Sequence, residues 1–341
     1  MLKRIPSFLR HVGPGVVTGA ADDDPSGIAT YTQAGAQFGT SMVWTVFLSL
    51  PFMIAIQLVS ARIGRVTGKG VAANLREHTP RWFLLSVVLL LVVANVINIA
   101  ADIAAMGDAL QLVMGGRAHL YSAAVGVVTV LLQVLVPYRR LAPLLKWLTL
   151  TLFAYVAVVF VSHVPLAEAA RGVLIPSFTF DKPHSMALVA IFGTTISPYL
   201  FFWQAGQEVE EQHRRHVKAL MVSPRDAGPE LKRIRTDTMV GMAFSHITAL
   251  FIVVATAATL HAHGITHIDT AGQAAQALRP IAGNLAFALF ALGIIGTGLL
   301  AVPILAGSAA YAVSETFGWV EGLERKPREA KAFYGVIAVA T

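Results

Sequence analysis

The sequence predicts an all-α membrane protein whose helices fall into two inverted halves of five. Three observations carry that prediction: apolar runs long enough to cross a bilayer, basic residues confined to alternate loops, and two helices interrupted at corresponding places. Of the 341 residues, 55% are hydrophobic and 13% charged, whereas an average soluble domain is about 25% charged. A chain with so few polar side chains cannot cover a globule, so water is not its main solvent.

A bilayer core about 30 Å thick needs roughly 20 apolar residues per helix. Eight stretches approach this, at 12 to 36, 42 to 64, 82 to 107, 119 to 137, 141 to 164, 185 to 206, 237 to 260 and 284 to 312. A ninth begins near Phe333 and is still apolar at Thr341, so we expect the chain to stop inside that helix, with the rest of the second half beyond it. The expected repeats are residues 1–164, with helices one to five, and 165–341, with helices six to eight and the start of nine; together they make one transporter domain. The basic start, Met1 to His11, imitates a signal peptide, but three aspartates follow without a small-residue cleavage pattern, so removal is not expected.

The loops give orientation. With the N-terminus in the cytoplasm, all but four of the 26 Lys and Arg residues fall in inside segments, the exceptions being Arg117, Arg171, Lys182 and Arg279. The inside clusters include Lys3, Arg4 and Arg10, then Arg139, Arg140 and Lys146, then Arg214, Arg215 and Arg233. This asymmetry predicts a multi-pass protein with a cytoplasmic N-terminus and supports the helix count, because a missed or invented helix would invert the bias downstream; the expected location is a bacterial inner membrane. The formal charge of +7 therefore belongs to a membrane surface and not to nucleic acid, which would need the basic residues gathered on one soluble face. With no cysteine there is no disulfide framework, and any metal would be held by oxygen, imidazole or thioether.

The first break is Asp22-Asp23-Asp24-Pro25-Ser26-Gly27 and the second is Thr194-Thr195-Ile196-Ser197-Pro198. Paired interruptions of this kind point to a binding site between the two halves. Three aspartates exposed to lipid would cost on the order of 8 to 10 kcal/mol, so something must compensate them. Pro25 frees carbonyls near Ala21, and carboxylates beside free carbonyls make a hard-oxygen cage for a cation. The competing reading places the triplet near the membrane surface, ending a re-entrant helix. The second break is the weaker signal by itself, since Thr and Ser in membrane helices often bond to their own backbone.

Asn95, Asn98 and Asp102 share a face of the third helix, either as an ion path through Asp102 or as a helix-packing cluster. Glu208, Glu210 and Glu211 with His213 and His216 resemble a metal cluster but read better as a solvated helix end. His261, His263 and His267 fit a hydrated outside loop, and His246 a buried, hydrogen-bonded side chain. No His-Glu-x-x-His run or glycine-rich phosphate loop supports an enzyme.

Gly13-Pro14-Gly15, Asp24-Pro25, Ala29-Thr30, Gln33-Ala34-Gly35-Ala36 and Phe38-Gly39 resemble the first helix of the natural resistance-associated macrophage protein (Nramp) divalent-metal transporters. Ser60-Ala61-Arg62-Ile63-Gly64 with Thr67-Gly68-Lys69 resembles the end of their second helix, and Ala101-Asp102 and Pro198 extend the likeness. The resemblance implies a LeuT-like inverted repeat of five-plus-five helices, with metal bound between the unwound centres of helices one and six. It also implies a transported divalent metal as cargo and no cofactor; from composition and charge the expected surroundings are the lipid bilayer, with no nucleic-acid partner, and a monomer is the expected state. From the breaks and the resemblance together, the expected metal residues are Asp24, Ala21, Ser26, Thr194, Ser197, Asp22 and Asp23, with Asp102 and Tyr199 on the ion pathway.

This chain also departs from the family pattern. Its usual Asp-Pro-Gly-Asn keeps Asp24 and Pro25 but has Ser26 and Gly27 in place of Gly and Asn; its usual Met-Pro-His is Ser197-Pro198-Tyr199. The family's proton-handling Glu, three residues after Asp102, is Ala105. Loss of the thioether removes discrimination against hard ions, and Asp22 and Asp23 suit the waters that Mg²⁺ retains. The pattern is similar to the divergent Nramp-related magnesium transporters and implies potential-driven import of Mg²⁺ and Mn²⁺. Two alternatives stand beside it: proton-coupled Mn²⁺ or Fe²⁺ symport, and sodium-coupled symport of an organic solute, which three anionic side chains at the site disfavour.

Overall fold

The structure, a computed structural model, describes residues 13–136, 147, 148, 150, 153–161, 171, 172, 176 and 178–341. The N-terminal basic cluster, the basic residues Arg139, Arg140 and Lys146, and half of the stretch expected at 141 to 164 lie outside the described residues.

The first expected helix is two: α1 (Pro14–Asp22) and α2 (Pro25–Phe38). Proline at the first position of each removes an amide that a helix start leaves unpaired anyway. Next come α3 (Val43–Thr67), the short α4 (Val71–His78), α5 (Arg81–Met114), α6 (Ala118–Leu135) and α7 (Phe153–Val161). The sixth expected helix is again two, α8 (Lys182–Thr195) and α9 (Pro198–Arg214). They are followed by α10 (Ala227–Thr259), α11 (Ala271–Phe317) and α12 (Lys331–Ala340). Among the described residues, six helical runs are long and apolar enough to cross a membrane.

Two elements were not foreseen. Helix α4 lies in the loop after α3, where its low apolar content hides it from a hydropathy scan. Helix α11 starts thirteen residues early, before a non-helical kink at Gly283 (φ 83°), a conformation that glycine alone adopts without strain.

The distribution of side chains is that of a protein solvated by lipid. Leu90 (70% exposed) and Val189 (72%) face outward, while Asp22, Asp23, Asp24, Asp102, Gln57 and Glu208 are buried. Helix α1 is pressed against α10 so closely that their backbones touch: a β-carbon at Gly19 would lie 2.2 Å from the Gly241 carbonyl oxygen. Small residues permit this approach, and in lipid such packing replaces the hydrophobic drive. The start of α1 is tied down as well, because Asp237 of α10 accepts hydrogen bonds from Gly13 N (3.1 Å) and Gly15 N (2.7 Å).

Candidate functional site

Pro25 both lacks an amide hydrogen and pushes Asp24 out of the helical region. Asp23 accordingly sits at φ −85°, ψ 56° and Asp24 at φ −71°, ψ 164°. Asp24 then caps α2: its Oδ1 accepts from Gly27 N at 2.6 Å and from Ser26 Oγ at 2.7 Å. Asp102 reaches the same helix start from α5, its Oδ1 accepting from Ser26 N at 3.1 Å. Two carboxylates thus converge on the positive end of α2, which favours them.

Asp22 and Asp23 have the opposite environment. They close α1, where the helix dipole is negative and repels an anion. Asp22 Oδ2 accepts from Ser245 Oγ of α10 at 2.7 Å. Among the described residues, Asp22 Oδ1, both oxygens of Asp23 and Asp102 Oδ2 have no hydrogen-bond partner, though all three residues are at most 1% exposed. A buried carboxylate oxygen left without a donor is costly, and a cation or its waters would remove the cost.

The second break faces the first. A β-carbon on Gly27 would lie 2.9 Å from Thr194 Oγ1, 3.2 Å from Asp24 Oδ1 and 3.4 Å from the Asp22 carbonyl oxygen. Tyr199 OH donates to the Ala21 carbonyl at 2.7 Å, and Tyr31 OH pairs with Thr195 Oγ1 at 3.0 Å. The carbonyl of Tyr199 accepts in turn from Ser308 Oγ of α11 at 2.7 Å. Ser197 caps α9 with no capping bond; its hydroxyl donates back to the Thr194 carbonyl at 2.7 Å. Ala21 is therefore not a wholly free carbonyl, since one of its two lone pairs is taken by Tyr199.

Every metal-site residue inferred from sequence lies at one of the two breaks, with Asp102 and Tyr199 linked to the first. The carboxylates do not form a cage by themselves: among the described residues no three Asp, Glu or His side chains form a group that would hold a metal. Asp22 turns to α10 and Asp24 to α2, so a cation here would need carbonyl and hydroxyl oxygens as well.

The glutamates of α9 correct a second expectation. Glu208 is fully buried, paired with Arg233 at 2.5 Å, and Glu210 accepts from Tyr311 OH and Leu323 N, each at 2.9 Å. They are not a solvated helix end, because Arg233 of α10 covers Glu208 while Tyr311 of α11 and the Leu323 amide cover Glu210; only His213 and His216 of that group are exposed. His246 is hydrogen-bonded as expected, to the Met242 carbonyl at 2.9 Å and toward Ser49 Oγ at 3.3 Å. The exposed His261 and His263 bond to carbonyls of Ala36 and Thr259. Sequence reasoning missed Ser245 and Asp237, whose roles depend on α1 packing against α10 and leave no local signal.

Two interrupted helices whose open ends meet around carboxylates define a membrane transporter of the inverted-repeat class. Residues 15–341 match the family model for natural resistance-associated macrophage protein-like (Nramp) proteins, and the chain belongs to that family. Its members are transporters and not enzymes. Two relatives described as divalent metal cation transporter MntH, from two strains of Klebsiella pneumoniae, are each 30% identical over 302 residues, covering 85% of this chain and 68% of theirs. A mutant of the manganese transporter of Eremococcus coleocola superposes with a TM-score of 0.76 at 18% identity, over 99% of this chain and 71% of that one. A nucleobase-cation-symport-1 family transporter in a closed conformation gives 0.64 at 15% identity, over 96% and 70% of the two chains. At these identities the superpositions establish the fold, a LeuT-like arrangement.

Proposed function

We propose that this protein imports divalent metal cations, Mg²⁺ and Mn²⁺ foremost, through a site between the α1/α2 and α8/α9 breaks. The relatives named for divalent metal and manganese transport support the cargo class. The observation that carries the ion preference is the donor set. Asp24, the Ala21 carbonyl, Ser26, Thr194 and Ser197 offer only oxygen, and oxygen suits hard ions. The unpartnered oxygens of Asp22 and Asp23 are suited to accept from waters that Mg²⁺ keeps. Import needs no coupled ion: moving two charges inward across 100 mV releases roughly 4.6 kcal/mol.

The reading places the basic face in the cytoplasm, with residues 1–164 and 165–341 as the two repeats. A single cysteine at Arg171, in a chain that has no cysteine of its own, should react with an impermeant thiol reagent on intact cells. The deciding experiment is uptake by the full-length protein in proteoliposomes with a lumenal pH dye. Millimolar Mg²⁺ should compete with Mn²⁺, and the lumen should not acidify. Acidification that disappears in Asp102→Asn would instead establish proton-coupled Mn²⁺ or Fe²⁺ symport, a reading that the unpartnered Asp102 Oδ2 keeps in play.

A further inference from the structure

Beyond the second break, α9 carries buried polar chemistry that the reading above does not use. Gln204 and Glu208 lie one turn apart on one face, and both are 0% exposed. One atom of each head group goes to α10: Gln204 Nε2 donates to Thr238 Oγ1 at 2.8 Å, and Glu208 Oε2 accepts from Arg233 at 2.5 Å. The other oxygens, Gln204 Oε1 and Glu208 Oε1, have no partner among the described residues. Two orphaned acceptor oxygens on successive turns are an arrangement that a cation satisfies and a donor-poor helix interface does not. Glu208 lies about 16 Å along the helix from Ser197, at 1.5 Å per residue, toward the basic face.

The charges around it are balanced. Arg65 and Arg215 pair with Glu230 at 3.2 and 2.7 Å, Arg233 bridges Glu208 and Glu230, and Asp237 follows one turn later on α10, holding the start of α1. Three guanidiniums thus pair with two carboxylates, Asp237 adds a third acid one turn on, and these six groups are neutral only while Arg233 is counted among them. When Arg233 moves away from Glu208, the vacated carboxylate attracts a cation.

We propose that Glu208, with the side-chain oxygen of Gln204, is a second station for the divalent cation between the two-break site and the basic face, and that Arg233 takes the cation's place there while this route is closed. The inference rests on the divalent-cation reading. It is tested in proteoliposomes of the full-length protein, by Mn²⁺ influx and by its inhibition by Mn²⁺ supplied at the basic face. Glu208→Gln should lower maximal influx by about tenfold, equivalent to roughly 1.4 kcal/mol of lost cation binding at the station, with the entry-side KM unchanged. Arg233→Gln should make influx several-fold more sensitive to Mn²⁺ at the basic face, and the Glu208→Gln/Arg233→Gln double variant should lose that gain. Should Glu208→Gln fail to fold, Arg233→Gln with native Glu208 carries the test. Native influx in Glu208→Gln, or an Arg233→Gln defect without added sensitivity that the double variant repairs, would leave a structural ion pair and overturn the station. A native protein that moves no divalent cation would instead overturn the reading on which the station rests.

Discussion

The two breaks share a backbone and differ in chemistry. In the first, Asp23 (φ −85°, ψ 56°) and Asp24 (φ −71°, ψ 164°) precede Pro25; in the second, Ile196 (φ −107°, ψ 61°) and Ser197 (φ −82°, ψ 125°) precede Pro198. One residue leaves the helix, the next is extended, and proline starts the following helix. The shape therefore comes from proline's steric demands. What occupies the extended position differs: a carboxylate that caps its helix in the first, a hydroxyl turned back on its own helix in the second. The first break thus carries the charge and the second shapes the space around it.

The largest expected effect tests that division. Asp24→Asn keeps a good helix cap but removes the charge, so it should leave folding near native while uptake of every divalent ion falls on the order of a hundredfold or more. The matched change in the other break, Ser197→Ala, should cost only a small part of that. Equal losses in uptake would show that the breaks share the charge-bearing role in some way the side chains do not reveal.

How much of this was legible in the sequence follows from the same contrast. Proline, the aspartate triplet and the apolar runs are local signals, so the broken helices, the membrane fold and the residues at the breaks could be read directly. The direction each carboxylate takes could not. Asp22 meets Ser245, 223 residues away, and Ser26 meets Asp102, 76 residues away, contacts that only packing decides. Glu208 was misread for the related reason that a charged residue near a helix end usually faces solvent. Its partner Arg233 stands 25 residues on, across an interface.

The next effect sharpens the comparison within the first break. Asp23→Asn should weaken Mg²⁺ uptake more than Mn²⁺ uptake, by about fivefold, the worth of a hydrogen bond to a retained water. Asp22→Asn should do less, because one oxygen of Asp22 is already held by Ser245. Concentration series for both ions would measure the difference, and equal losses for the two metals would remove the water-holding role.

A smaller shift should come from the second break. Ser197→Met places a soft sulfur at the edge of the site and should move preference toward Mn²⁺ and Cd²⁺. Adding Gly27→Asn should not help by itself, since its β-carbon would crowd Thr194 Oγ1 at 2.9 Å; combined with Thr194→Ala it should extend the shift. Competition between Mg²⁺ and Mn²⁺ reads each step.

The smallest effect concerns the link between the breaks. Tyr199 OH donates to the Ala21 carbonyl at 2.7 Å, joining the start of α9 to the end of α1. Tyr199→Phe removes that bond and returns one carbonyl lone pair to the site. The lost bond should lower stability by about 1 kcal/mol, visible as a modest fall in the midpoint of thermal unfolding in detergent. The freed carbonyl acts in the other direction, adding an oxygen donor that a hard cation accepts. Uptake at low Mg²⁺ should therefore hold or rise slightly although the protein is less stable. Stability and low-Mg²⁺ uptake falling together would show that Tyr199 holds the two breaks in register, and that the second break supports the first mechanically as well as shaping its space.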